Sequence, residues 1–163
     1  MIEDPLASQN RDLAAENCIK KYVLFGIGAG LIPAPLVDAV AITALEISMI
    51  GDLAAIYEFP VPHRLVSYKV LISLIGSIGP IYLATKVNSA IKAVPIIGHA
   101  LYFGIMSFTG GASVYAAGKL FQKHFVSGGT YISGDPTGIR SFFRDKFAEG
   151  KALAPTLVAK RAS

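Results

Sequence analysis

Charge is scarce in this 163-residue chain. Asp, Glu, Lys and Arg make up only 16% of it, against about 25% in ordinary soluble domains. Cysteine is nearly absent: the single Cys18 excludes an internal disulfide and any Cys-rich metal site. We expect it to be a small residue on the apolar face of a helix. The three histidines, His63, His99 and His124, lack metal-ligand spacing with one another or with a cysteine. Neither a nucleophile elbow nor an HExxH pattern is present. Gly118-Lys119 lacks the following Ser or Thr and the upstream Gly of a phosphate-binding loop. No basic stripe interleaves with aromatic residues, so nucleic acid is not an expected partner. These absences argue against an enzyme, and no cofactor is expected.

Apolar residues are plentiful instead. The chain is 53% hydrophobic, with a mean hydropathy of +0.53. Residues 93–118 form a 26-residue run without Asp, Glu, Lys or Arg. About 20 mostly apolar residues suffice for a helix to cross a bilayer, so this run reads as a tilted spanning helix. The alternative is a buried helix in a soluble core. Pro95 opens the run, while Lys119, Lys123 and His124 follow it, suited to a helix C-terminus and to lipid headgroups. Gly104, Gly111 and Gly118 recur every seven residues, which places them near one face for close helix packing.

Upstream, residues 1–8 read as frayed, and a helix is expected from Asn10, a candidate N-cap, to Ile32. Its Gly26, Gly28 and Gly30 thin it for packing against another backbone. The acidic start, Glu3 and Asp4, does not read as a cleavable signal peptide. Pro33 and Pro35 break the chain, and a second helix is expected from Pro35 to about Tyr57. The apolar part of the first helix is short for crossing, so this hairpin reads as re-entrant or half-inserted. Asp38, Glu46 and Asp52 fall within an arc of about 120° on the second helix. Asp38, Glu46 and His99 could form a polar path for ions or protons. Glu46 and Asp52 are read instead as lying in water or pairing with Lys69 or Arg64, while Asp38 is left open between the two readings. A third helix is expected over about Arg64–Asn88, kinked at Pro80.

After His124 the chemistry changes. A Gly-rich loop leads to Asp135, a candidate N-cap, and Pro136 at the first helical position. An amphipathic basic helix follows over about Thr137–Glu149, and the remainder is expected to be mobile. Arg140, Arg144 and Lys146, with Lys119 and Lys123, make a candidate membrane-surface or docking set. Packing of that helix against the protein's own surface is the other reading. Eight of the fifteen basic residues lie at or after Lys119, which suits an anionic membrane surface. If the helices pair as hairpins, Lys20 and Lys21, the Arg64–Lys69 link and the basic tail fall on one side and Lys86 and Lys92 alone on the other, and the positive-inside rule then puts both termini in the cytoplasm.

Three stretches together carry a family resemblance: Leu31 to Pro60, Val94 to Gly104 and Tyr115 to Pro136. Their Pro-x-Pro-x-x-Asp and Gly-Lys-x-Phe-x-x-His-Phe-x-Ser-Gly-Gly-Thr patterns resemble the YcjF-like bacterial membrane domain, over roughly residues 15–150. That domain also occurs behind Era-like or dynamin-like GTPase domains. The resemblance implies an inner-membrane helical-hairpin protein without a transferable enzymatic activity, and a GTPase could act on it only in trans.

The expected fold is therefore an all-α membrane protein of two helical hairpins plus a C-terminal amphipathic helix. Residues 1–125 would form the membrane domain, and residues 126–163 the cytosolic loop, helix and tail. The expected role is a non-enzymatic inner-membrane assembly protein, bound to lipid and present as a homo-oligomer or in a larger assembly. A small ion channel or transporter is the alternative, and a module recruited by a GTPase is a third.

Overall fold

The structure is a computed structural model describing residues 5–29, 35–60, 95–133 and 135–162. Side chains are described for 5–29, 40–60, 107–132 and 135–161. The expected helix over Arg64–Asn88 lies outside the described residues. What is described is all-helical: α1 (Pro5–Ala29), α2 (Pro35–Ile56), α3 (Pro95–Val126), a 3-10 turn (Tyr131–Ser133) and α4 (Pro136–Ala162).

Each of these four α-helices begins on proline, whose fixed φ and missing N–H suit the first helical position. Pro5 starts α1 five residues before Asn10, so the expected fraying over 1–8 is corrected for residues 5–8. At α4 the start is reinforced by Asp135. Its carboxylate accepts the backbone N–H of Thr137 at 3.0 Å and of Gly138 at 2.9 Å.

Two of the ends share one geometry. After α2, Phe59 N–H reaches Ala54 O at 2.8 Å and Glu58 N–H reaches Ala55 O at 3.2 Å. After α3, Gly129 N–H reaches His124 O at 2.8 Å and Gly128 N–H reaches Phe125 O at 3.0 Å. Both are Schellman caps. Gly128 takes the left-handed position at φ 67°, whereas at α2 the same position is held by Glu58 at φ 50°.

The helices pack around α3. Gly26 of α1 meets Gly110 and Ile19 meets Gly118, so α1 runs antiparallel to α3. Ile42 and Met49 of α2 meet the same two glycines in the same order, so α2 runs parallel to it. Gly150 of α4 lies on Ala112 and Tyr115, while Lys123 lies over Phe142; α4 is thus antiparallel. One apolar cluster runs through all four, from Ile19 and Val23 through Met49 and Leu53 to Leu120 and Phe143.

This packing accounts for two departures from the sequence expectations. Among the described residues no helix is long and apolar enough to cross a membrane, so the spanning reading of 93–118 is not met. The second half of that run is covered by protein instead: Ala112, Val114, Ala116 and Ala117 are buried inside the bundle. The tail after Glu149 is also corrected, because α4 continues through Pro155 to Ala162. Ala154 is buried and Leu153 and Leu157 pack on the core, anchoring the turns on both sides of the proline.

Candidate functional site

The α1–α3 crossing is built on glycine. A methyl group added at Gly110 would lie 2.8 Å from the Gly26 carbonyl oxygen and 2.9 Å from Ile42 Cδ1. At Gly111 it would lie 2.6 Å from Ile27 Cγ1, and at Gly118 2.8 Å from Ile19 Cγ1. Such distances are below ordinary van der Waals contact, so only glycine permits this approach. Gly26, Gly111 and Gly118 therefore pack helices within the chain, where the sequence left partners or second copies open. Gly30 lies outside the described residues, as do the surroundings of Gly104. Gly110 was missed, although its place beside Gly111 was a visible signal. Beside the glycines, the Ser107 hydroxyl donates to Ile27 O at 2.6 Å.

Glu46 stands in the neighbouring seam between α2 and α3. Its side chain is 0% exposed. Oε1 accepts the hydroxyl of Ser113 at 2.8 Å, and Oε2 is buried without a hydrogen-bond partner. Burial pushes its pKa up to about 7, against a smaller lowering by the Ser113 hydroxyl. The reading of Glu46 as water-facing or ion-paired is thus corrected: its apolar neighbours on α2, Ile42, Met49 and Ile50, are buried on the same side. Asp38 lies on α2 and His99 on α3, and their side chains lie outside the described ones. Ser113, the one described partner of Glu46, was not singled out from sequence.

Asp52 behaves differently. It is half exposed, with Lys21 Nζ at 3.3 Å and the Tyr22 hydroxyl donating to it at 2.9 Å. Burial and the acceptor beside it push Tyr22 up to about 12. Lys69 and Arg64, the partners considered from sequence, lie outside the described residues.

The basic set divides in two. Lys119 pairs with Glu16 of α1, and Lys146 with Glu149 at 2.5 Å. Glu149 in turn accepts the Tyr115 hydroxyl at 2.5 Å, so these charges tie α1, α3 and α4 together. Lys123 lies 4.3 Å from the centroid of Tyr131 and 4.6 Å from that of Phe142, a cation–π contact at the start of α4. Arg140 and Arg144 are exposed and make no hydrogen bond, ion pair or ring contact among the described residues. They sit one turn apart on the outer face of α4, whose Ile139, Phe143 and Phe147 are buried inward. His124 is turned partly inward. Its Nδ1 accepts the Ile132 N–H at 3.2 Å, its ring packs on Phe59 and Phe121, and burial lowers its pKa.

Among the described residues no group of three or more His, Cys, Asp or Glu could hold a metal ion. No protein-family model matches the chain, and no solved structure matches it. The chain is similar to magnetosome membrane protein 22 of Magnetospirillum gryphiswaldense, 35% identical over 155 residues, which cover 94% of this chain and 79% of that protein. At that identity and coverage, the chain belongs to the same family as magnetosome membrane protein 22.

Proposed function

We propose that the chain is a membrane-associated, non-enzymatic assembly protein, held at a bacterial inner membrane and displaying α4 to the cytoplasm. The observation that carries this reading is the 35% identity to a magnetosome membrane protein across nearly the whole chain. Surface chemistry supports it. Phe25 and Val40, near the facing ends of α1 and α2, are 51% and 71% exposed, an apolar presentation that lipid or a partner would cover. Arg140 and Arg144 offer cations to an anionic surface or an acidic partner. With Gly26, Gly110, Gly111 and Gly118 consumed inside the bundle, docking falls to these outer residues. The YcjF-like resemblance adds a GTPase acting in trans as one proposed partner.

Membrane fractionation of cells expressing the full chain tests the reading, followed by purification in mild detergent. Retention in the membrane after a high-salt wash, with a stoichiometric partner or defined oligomer, is the expected result. Recovery in the soluble fraction as a monomer would sink it. Arg140→Glu with Arg144→Glu should release the partner while the protein stays folded and membrane-bound.

A further inference from the structure

Glu46 is a poor choice for a core position unless its proton matters. The acid is enclosed midway along the seam where α2 and α3 run parallel, between the Ile42–Gly110 and Met49–Gly118 contacts. One oxygen has a hydroxyl donor and the other has none. Among the described elements, α2 packs only on α1 and α3. Among the described side chains, their titratable groups are engaged elsewhere. On α1, Lys21 and Tyr22 bond Asp52 of α2, and Cys18 sits beside that pair. On α3, Tyr115 bonds Glu149 and Lys119 pairs with Glu16. No described charge reaches Glu46 to compensate a carboxylate.

A neutral carboxylic acid fits this enclosure, because it carries no net charge to desolvate. A carboxylate does not, because an uncompensated buried charge is strongly unfavourable. We propose that Glu46 is a proton-operated latch between α2 and α3: protonated, it lets α2 lie closed on the seam, and deprotonated it favours release of α2 into solvent or lipid headgroups. The inference stands on the packing around Glu46 and does not require the membrane reading above.

The direction and window follow from linkage. The closed state holds the proton up to about pH 7, whereas a released, hydrated Glu46 ionises near its ordinary value of 4.5. Closure is therefore fully favoured below about pH 4.5 and weakens as pH rises. Opening should increase about tenfold per pH unit across that interval and level off above about pH 7, roughly a hundredfold or more in all.

The test is hydrogen–deuterium exchange of the full chain between pH 5 and 8.5, in mild detergent and again in nanodiscs of bacterial lipid, corrected for intrinsic exchange rates. Protection in α2 should fall with pH as above, while protection in α1 and α3 falls less. Glu46→Gln, isosteric and always neutral, should give a flat profile. Ser113→Ala removes the donor that favours the carboxylate, so the levelling point should move to higher pH. The infrared band of a protonated carboxyl should be present in the wild type at pH 6 and missing from Glu46→Gln. A flat wild-type profile overturns the latch. So does a slope that Glu46→Gln retains, one shared equally by α1 and α3, or a levelling point that Ser113→Ala leaves in place or moves to lower pH.

Discussion

Among the described residues, Glu58 is the one whose conformation fits its side chain least. It occupies the left-handed position of the cap that ends α2, where Cβ crowding costs roughly 1–2 kcal/mol in a non-glycine residue. Glu58→Gly should raise stability by about 1 kcal/mol, seen as a higher melting temperature. The matching cap after α3 works the other way. Gly129 adopts φ 83°, and a methyl there would lie 2.5 Å from Phe59 Cζ. Gly129→Ala should cost about 1–3 kcal/mol and separate Phe59 from the His124 and Phe125 rings. A sharper pair is Gly110 and Gly28, both helical. Gly110→Ala should destabilise by about 1–3 kcal/mol through its collision with the Gly26 backbone. Gly28→Ala, with nothing within 4 Å, should stabilise by up to about 1 kcal/mol through helix propensity alone. Chemical denaturation of the two variants side by side measures the difference.

At the level of elements, α4 is the test of what covers an amphipathic helix. Its inner face, with Phe143 and Phe147, is buried with the core cluster, not laid on lipid. Phe143→Ala should therefore cost about 3–5 kcal/mol in unfolding free energy whether or not lipid is present. If bilayer were its cover, the loss would appear as weakened membrane binding with unchanged stability. The proline punctuation that starts α2, α3 and α4, and the Asp135 cap, were legible because they act within one turn of chain. What covers an apolar stripe was not. The period of a helix reports that one face avoids water, and lipid or a neighbouring helix satisfies it equally. Residues 107–118 looked like membrane for that reason, and α1, α2 and α4 supply the cover instead. The tail after Glu149 is held for a like reason: Pro155 removes one helical hydrogen bond, but Ala154, Leu153 and Leu157 gain enough burial to carry the helix past it. Glu46 was noticed as a carboxylate on an apolar helix, yet its burial depended on Ser113, 67 residues away.

Across the whole molecule, the first helix is completed by the third. Lys119 to Glu16, Ser107 to Ile27 and the Gly26–Gly110 contact all join α1 to α3, with the Ser107–Ile27 pair 80 residues apart in the chain. At about 5–20 residues per second, a ribosome finishes α3's contact surface several seconds after α1 has been made. Throughout that interval Ile19, Val23 and Ile27 have no α3 to rest on. Newly made α1 is thus a client before it is a component: something else, a chaperone or the membrane surface itself, must shelter its apolar face until its partner is synthesised.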